Sequence, residues 1–197
     1  VTIATRFGPY PAGPPAPDDL PAAVDVRQLS LLGAAWTAGS LKHLAESGAA
    51  SVTYYETSGW RGIVERESGS PDSRFPSARG ATFPLYHVFA DVAAWAGGTV
   101  RGTMSSRPLS VEALAVEDAR GLHLLVANLE PADGEVDLLG ITGDSVLVRT
   151  LDYDHAGDAM TSPAAFRARP GDAIAVLDGR VRLRLGPYAV ARVDPAG

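Results

Sequence analysis

Cysteine is absent from the 197-residue chain. That excludes disulfides, thiolate metal sites and a cysteine nucleophile together, and leaves the compartment open. Aromatic residues are scarce at 7%, with only three Trp, so each one near a polar cluster carries weight. No apolar run approaches the roughly 18 residues of a membrane helix, and no membrane partner is expected. Positive charge is in deficit: 17 Lys and Arg face 23 Asp and Glu, for a net charge of −6. The deficit holds in both halves, 7 basic against 9 acidic over residues 1–98 and 10 against 14 over 99–197. Neither half attracts a phosphate backbone, so no nucleic-acid partner is expected. The chain opens on Val1-Thr-Ile-Ala-Thr5 with no initiator or signal segment ahead of it, and it reads as a fragment.

Hydrophobic residues at 46% and charged residues at 20% describe a globular chain with material for a core. Residues 8–24 hold six of the fifteen prolines (Pro9, Pro11, Pro14, Pro15, Pro17 and Pro21), a stretch that cannot form a regular element. Asp25 then opens a helix over about residues 26–47, with Gln28 three residues on as in a capping box. Leu29, Leu32, Trp36 and Leu44, supplemented by Leu31, Ala35 and Leu41, form its apolar stripe. Ser51-Val-Thr-Tyr-Tyr-Glu56 follows as a strand. A second helix starts near Pro84, where a missing N–H costs nothing, and Gly97-Gly98 ends it. Its stripe is Leu85, Val88, Phe89, Val92, Ala93 and Ala96, facing the strands, while Tyr86 and Trp95 lie off it and would cover the second half.

After Gly98 the rhythm changes. Strands are expected at Leu109–Val116, Leu122–Leu129, Glu135–Leu139, Ser145–Leu151, Ala173–Leu177, Arg180–Leu185 and Tyr188–Val193. Asp178-Gly179 between two of them is a two-residue hairpin signal. Short strands at such intervals with no convincing helix argue a β-sandwich. The boundary between the two parts is expected at about residue 98.

Chemistry concentrates in Ser51-Val-Thr-Tyr-Tyr-Glu-Thr-Ser-Gly-Trp-Arg61. Glu56 stands where a strand ends and a glycine-containing loop begins, the edge at which parallel α/β sheets and barrels bind substrates. Strand alternation puts Val52, Tyr54 and Glu56 on one face. Trp60 offers a flat apolar surface for a sugar ring. The alternative reading is a structural one, Glu56 capping the strand end or pairing with Arg61.

These residues carry a resemblance. A strand ending in Glu followed by small residues, Gly and Trp, with a helix before it, a final amphipathic helix after it and then a β-sandwich, resembles the seventh strand of a retaining (β/α)8 glycoside hydrolase. Tyr54-Tyr-Glu-Thr-Ser-Gly-Trp-Arg-Gly-Ile-Val-Glu65 and Phe83-Pro-Leu-Tyr-His-Val-Phe89 are most similar to the D-apionate lactonase family, glycosidase-like in fold and assigned to hydrolysis of a branched-sugar lactone. The resemblance implies an α/β part, the C-terminal portion of a (β/α)8 barrel over 1–98, followed by an all-β part, an antiparallel sandwich over 99–197. It puts Glu56 in the strand-seven nucleophile position. The partner acid/base of such barrels sits on strand four, which would precede Val1, so the chain by itself is expected to be inactive. Its implied partners are a small carbohydrate or sugar lactone and the N-terminal remainder of the barrel.

Other candidates are secondary. Arg6, at the end of the first visible strand, could contact a substrate oxygen or a developing oxyanion, or form a salt bridge. With Tyr54 and Trp60 it completes the candidate substrate-binding set around catalytic Glu56. Glu65 and Glu67 could lie at the end of a short eighth strand, but ordinary solvated acids are the preferred reading. His43, His87, His123 and His155 lack metal spacing, and Asp152, Asp154 and Asp158 near His155 lack the Gly and terminal Glu of a calcium loop. No metal and no cofactor are expected. Two other functions stay open: a retaining glycoside hydrolase of the barrel clan, and a non-catalytic sandwich module that binds carbohydrate or braces the barrel. The second half contains no Trp and few aromatics (Tyr153, Phe166 and Tyr188), which favours bracing.

Overall fold

A computed structural model describes the backbone of residues 2–3, residue 16 and residues 18–196. Strand β1 (Thr2–Ile3) lies parallel to β2 (Thr53–Tyr54), with Ile3 opposite Tyr54. A parallel bridge from Ser58 to Val64 continues the same direction, and Val64 also bridges Thr82. Among the described residues these make three successive parallel segments, against the eight strands that close a barrel.

The first helix begins later than the sequence suggests. Asp25 accepts the Arg27 N–H and caps only a 3-10 turn, Val26–Leu29. Gln28 does not complete a capping box; its amide donates to the Gly62 carbonyl at 2.8 Å. Ser30, in an extended conformation, interrupts the chain and caps the true helix α1 (Leu31–Glu46) by accepting the Gly33 N–H. The buried face of α1 is also not the Leu/Trp stripe. It is the small face, Gly33, Ala34, Ala35, Thr37, Ala38 and Gly39. A Cβ on Gly39 would lie 3.6 Å from Glu112 and Leu129 side chains, so small residues are what let the helix approach the sheet behind it.

Helix α2 (Pro84–Ala94) starts as expected, with Pro in its first turn. Leu85 and Val88 are buried, but Phe89 and Val92 are half-buried, and Ala93 and Ala96 are exposed. The polar His87 and Asp91 are buried in their place. The stripe is rotated because α2 is covered on a second side by the β-rich part, and Trp95 stands on that part as expected.

There, β3 (Thr99–Arg101), β4 (Val111–Asp118), β5 (Gly121–Asn128), β7 (Ser145–Leu151), β8 (Asp172–Ala175) and β10 (Val190–Pro195) form one antiparallel sheet in the order β3-β4-β5-β10-β7-β8. Strands β6 (Gly134–Leu139) and β9 (Arg180–Leu185) pair as a second, two-stranded layer. On β9, Val181, Leu183 and Leu185 face the core while Arg180, Arg182 and Arg184 face solvent, the alternation of a one-sided sheet. Asp178 and Gly179 both have positive φ and make the anticipated tight turn, with Leu177 paired to Arg180. The turn does not join a hairpin, however: β8 pairs with β7 and β9 with β6, so the chain crosses between layers.

The expectation of no helix in this half fails. Between β7 and β8 lie α3 (Tyr153–Thr161) and α4 (Pro163–Ala168). Asp152 is the cap of α3, accepting the His155 N–H and pairing with His155 Nδ1 at 2.7 Å. The acidic cluster is therefore a helix start. Among the described residues no group of three or more His, Asp or Glu is arranged for a metal ion.

The six-stranded sheet is the middle layer. One face packs on β6–β9; the other carries Leu114, Val116, Leu125, Ala127 and Val190 into a core shared with α1 and α2. At its centre Asp91 Oδ1 accepts from Arg149 (2.7 Å, β7), Arg167 (2.9 Å, α4) and Arg192 (3.0 Å, β10). Beside it Trp95 stacks on His123 at 5.3 Å, and Asp194 accepts from both Trp95 and His123.

Two outcomes follow for stability. Asp91→Asn leaves three partly desolvated guanidinium groups without their shared charge and is expected to cost about 3–5 kcal/mol, read by chemical denaturation. His87, buried with Nε2 on the Ala159 carbonyl at 2.9 Å, is held below the ordinary imidazole value by burial, with repulsion from Arg167 and Arg149 adding to it and the Ala159 carbonyl and Asp91 opposing. Below about pH 6.5 the unfolded chain takes up a proton that folded His87 refuses, so its contribution is lost as pH falls from that value toward the lower folded one. Melting curves between about pH 7 and pH 5 should therefore fall less steeply for His87→Gln than for the natural sequence.

Candidate functional site

Strand β2 ends abruptly because Tyr55 adopts a left-handed conformation, φ 48°. A non-glycine residue there is uncommon and breaks the two-residue alternation. Tyr54 and Tyr55 consequently both face the helical layer. The Tyr54 hydroxyl bonds Ser40 Oγ at 2.7 Å and that of Tyr55 bonds Thr37 Oγ1 at 2.8 Å, both on α1, and both rings meet Phe89 edge-on. Burial pushes both phenols above their ordinary pKa. The pair is a structural anchor that holds the end of β2 on α1 and α2.

Glu56 is the first residue past this anchor, and its side chain is 45% exposed. Its carboxylate pairs with the Arg61 guanidinium, and its own N–H donates to the Arg61 carbonyl at 3.0 Å. The loop between them is closed by Gly62 N–H to Gly59 O (2.7 Å), Gly59 N–H to Val64 O (2.8 Å) and Ile63 N–H to Thr57 O (3.2 Å). Gly62 is required there: a Cβ would lie 2.6 Å from the Ser58 nitrogen. Trp60 is half-buried and meets Phe75 edge-on, and Phe75 in turn packs on Phe83.

The structure thus brings Glu56 and Trp60 onto one short loop at the end of a parallel strand. Tyr54 is not brought to Glu56; its hydroxyl is engaged by Ser40 instead. The salt bridge weighed for Glu56 with Arg61 is present, and it leaves the carboxylate accessible. Arg6 lies outside the described residues. Glu65, read as solvated, is only 2% exposed. One oxygen accepts the Arg66 N–H at 2.7 Å and the other accepts from the Ser77 hydroxyl. It follows Val64 on the next parallel segment, where the direction of the chain turns its carboxyl inward. Sequence reasoning passed over Ser77, whose signal, a lone Ser in a loop twelve residues on, is too weak to read.

The remaining histidines also acquire partners. His43 Nε2 reaches the buried Glu112 at 3.1 Å, with Lys42 at 3.5 Å from the same carboxylate, joining α1 to β4. Burial tends to raise Glu112, but the Leu109 N–H and the His43 and Lys42 charges together hold it below its usual value.

Comparison with solved structures shows a likeness of fold. A bifunctional glucanase-xylanase, CelM2, from a metagenome library matches with a TM-score of 0.58 at 15% identity over 86% of this chain and 29% of that one. A GH51 arabinofuranosidase from Xanthomonas axonopodis pv. citri matches at 0.56 and 16% over 91% and 38%, and a GH30 endoxylanase from Clostridium papyrosolvens C71 at 0.56 and 14% over 84% and 38%. The chain therefore spans well under half of each of these proteins, and at such identities the likeness is one of fold. A search of curated proteins finds no match. The profile described as "D-apionate lactonase, TIM barrel domain" matches residues 1–97, and "D-apionate lactonase, C-terminal immunoglobulin-like domain" matches 108–193. A barrel portion with a β-sandwich packed on its last helix, matched over nearly its whole length, belongs to the D-apionate lactonase family.

Proposed function

We propose that this chain is the C-terminal portion of a carbohydrate-active hydrolase that opens a sugar lactone, with Glu56 as its catalytic carboxylate. The observation that carries the reading is the position of Glu56: an accessible carboxylate at the end of a parallel strand, fixed by backbone bonds on both sides and beside a cation. In lactone hydrolysis an ionised carboxylate removes a proton from water as the water oxygen attacks the ester carbonyl. The C–O bond of the ring then breaks, and the alkoxide takes up a proton to leave a hydroxy acid. Trp60 supplies an apolar wall for the sugar, and Arg6 is assigned to the oxyanion. Tyr54 acts at one remove, by pinning the strand end through Ser40.

The remaining barrel strands must supply a second acid/base, so the chain alone should not turn over. Glu65 does not fill that role, since both of its oxygens are engaged by Arg66 and Ser77. The sandwich acts as a brace: Phe166 is buried, Tyr188 half-buried, and exposed Tyr153 has no second ring beside it among the described residues to form a sugar platform.

In the full-length protein, Glu56→Gln should lower lactone hydrolysis by about 10²–10⁴-fold, the usual weight of general-base catalysis, with its melting temperature retained. The same assay on an aryl glycoside separates the alternatives. Turnover of the lactone alone supports the reading. Trapping of Glu56 by a fluorosugar assigns a retaining glycosidase, and undiminished activity of Glu56→Gln on either substrate removes Glu56 from the chemistry.

A further inference from the structure

The Asp91 cluster has more positive charge than its own carboxylates balance. Above it, between β7, β10 and the α4–β8 link, lies a cavity of about 330 Å³ lined by Leu147, Arg149, Arg167, Arg169, Gly171, Arg192 and Asp194 among others. Four guanidinium groups face two carboxylates, Asp194 in the wall and Asp91 beneath. Arg149 and Arg192 are only 14% and 12% exposed, so both are largely withdrawn from water, and Arg192 also forks onto the Asp194 carboxylate. Burial lowers the pKa of Arg149, with Asp91 opposing it; the guanidinium also donates to the Arg167 carbonyl at 3.1 Å and lies over the Phe166 ring. Arg169 takes no part in the Asp91 cluster. Its guanidinium is held at the cavity by donating to His155 Nε2 at 3.1 Å, and His155 is fixed in turn by Asp152. Gly171 lets the link carrying Arg169 lie against β7, because a Cβ there would come within 2.8 Å of the Val148 nitrogen.

A chain of net charge −6 does not gather anions at large, so a four-arginine cavity is a local feature built against the overall field. Guanidinium forks match tetrahedral oxyanions in geometry as well as charge. We propose that this cavity is a binding site for a tetrahedral dianion, a phosphate or the phosphoryl group of a small phosphorylated compound, held by Arg149, Arg167, Arg169 and Arg192. The site lies on the sandwich side of α2, away from Glu56, and does not depend on the assigned hydrolytic role.

The test is calorimetric titration of the full-length protein with inorganic phosphate at constant ionic strength, with chloride as the reference anion. Saturable one-to-one binding is expected, together with a rise in melting temperature that chloride does not reproduce. Arg169→Gln removes a cavity cation without touching Asp91 and should weaken phosphate binding about tenfold or more. Arg180→Gln, an exposed change on β9, should leave it as it was. Tighter binding of glycerol phosphate than of inorganic phosphate identifies a phosphorylated ligand, and the reverse identifies the free ion. No saturable binding, a shift equalled by chloride, or equal affinity in the Arg169→Gln protein overturns the proposal.

Discussion

One carboxylate oxygen organises the way the two parts of this chain meet. Asp91 Oδ1, on the last barrel helix, is shared by arginines from two strands and a helix of the sandwich. A buried charge of this kind costs desolvation, and the arrangement holds only while every partner is in place. It therefore acts less as glue than as a register pin: α2 can sit on the sheet in one position only. Neighbouring pairs repeat the device. Asp194, kept below its ordinary value by Arg192 and His123 despite burial, collects the Trp95 indole, and Glu112 ties β4 to α1 through Lys42 and His43.

The pin reaches the candidate site through the backbone. The Thr82 N–H donates to the Met160 carbonyl on α3 at 2.9 Å, and Phe83 N–H donates to Ile63 O at 2.9 Å. Glu65 N–H donates to Ala81 O at 2.7 Å, and Ile63 and Gly59 then close the loop that begins at Glu56. A sandwich helix thus fixes the segment that fixes the carboxylate. Under the proposed reading, the β-sandwich would act on catalysis by restricting where Glu56 can be, at the loop closures rather than at the substrate.

Much of this was legible in the sequence. Strands such as β7 and β9, and the glycine-ended α2, follow from local period and turn chemistry. Several of the misjudged residues are tertiary substitutions. Gln28 looks like half of a capping box until Gly62 offers it a carbonyl. The large residues of α1 look like its buried stripe until a sheet approaches the Ala/Gly face. Asp91 was not singled out in the sequence; its role shows only in the fold, where three arginines, up to 101 residues away in sequence, converge on it. At the site, Glu56 and Trp60 are visible from the strand-end motif. The orientation of Tyr54 is not, because the left-handed Tyr55 beside it interrupts the alternation on which that inference rests. Glu65 was misjudged because burial of an acid shows only when its partners are known.

The central claim is that the sandwich and the barrel portion form one cooperative unit joined through the α2 face. Differential scanning calorimetry of the full-length protein tests it directly. A single transition, with calorimetric and van't Hoff enthalpies equal, is the predicted result. Two resolved transitions, one of them reproduced by the isolated sandwich, would contradict it.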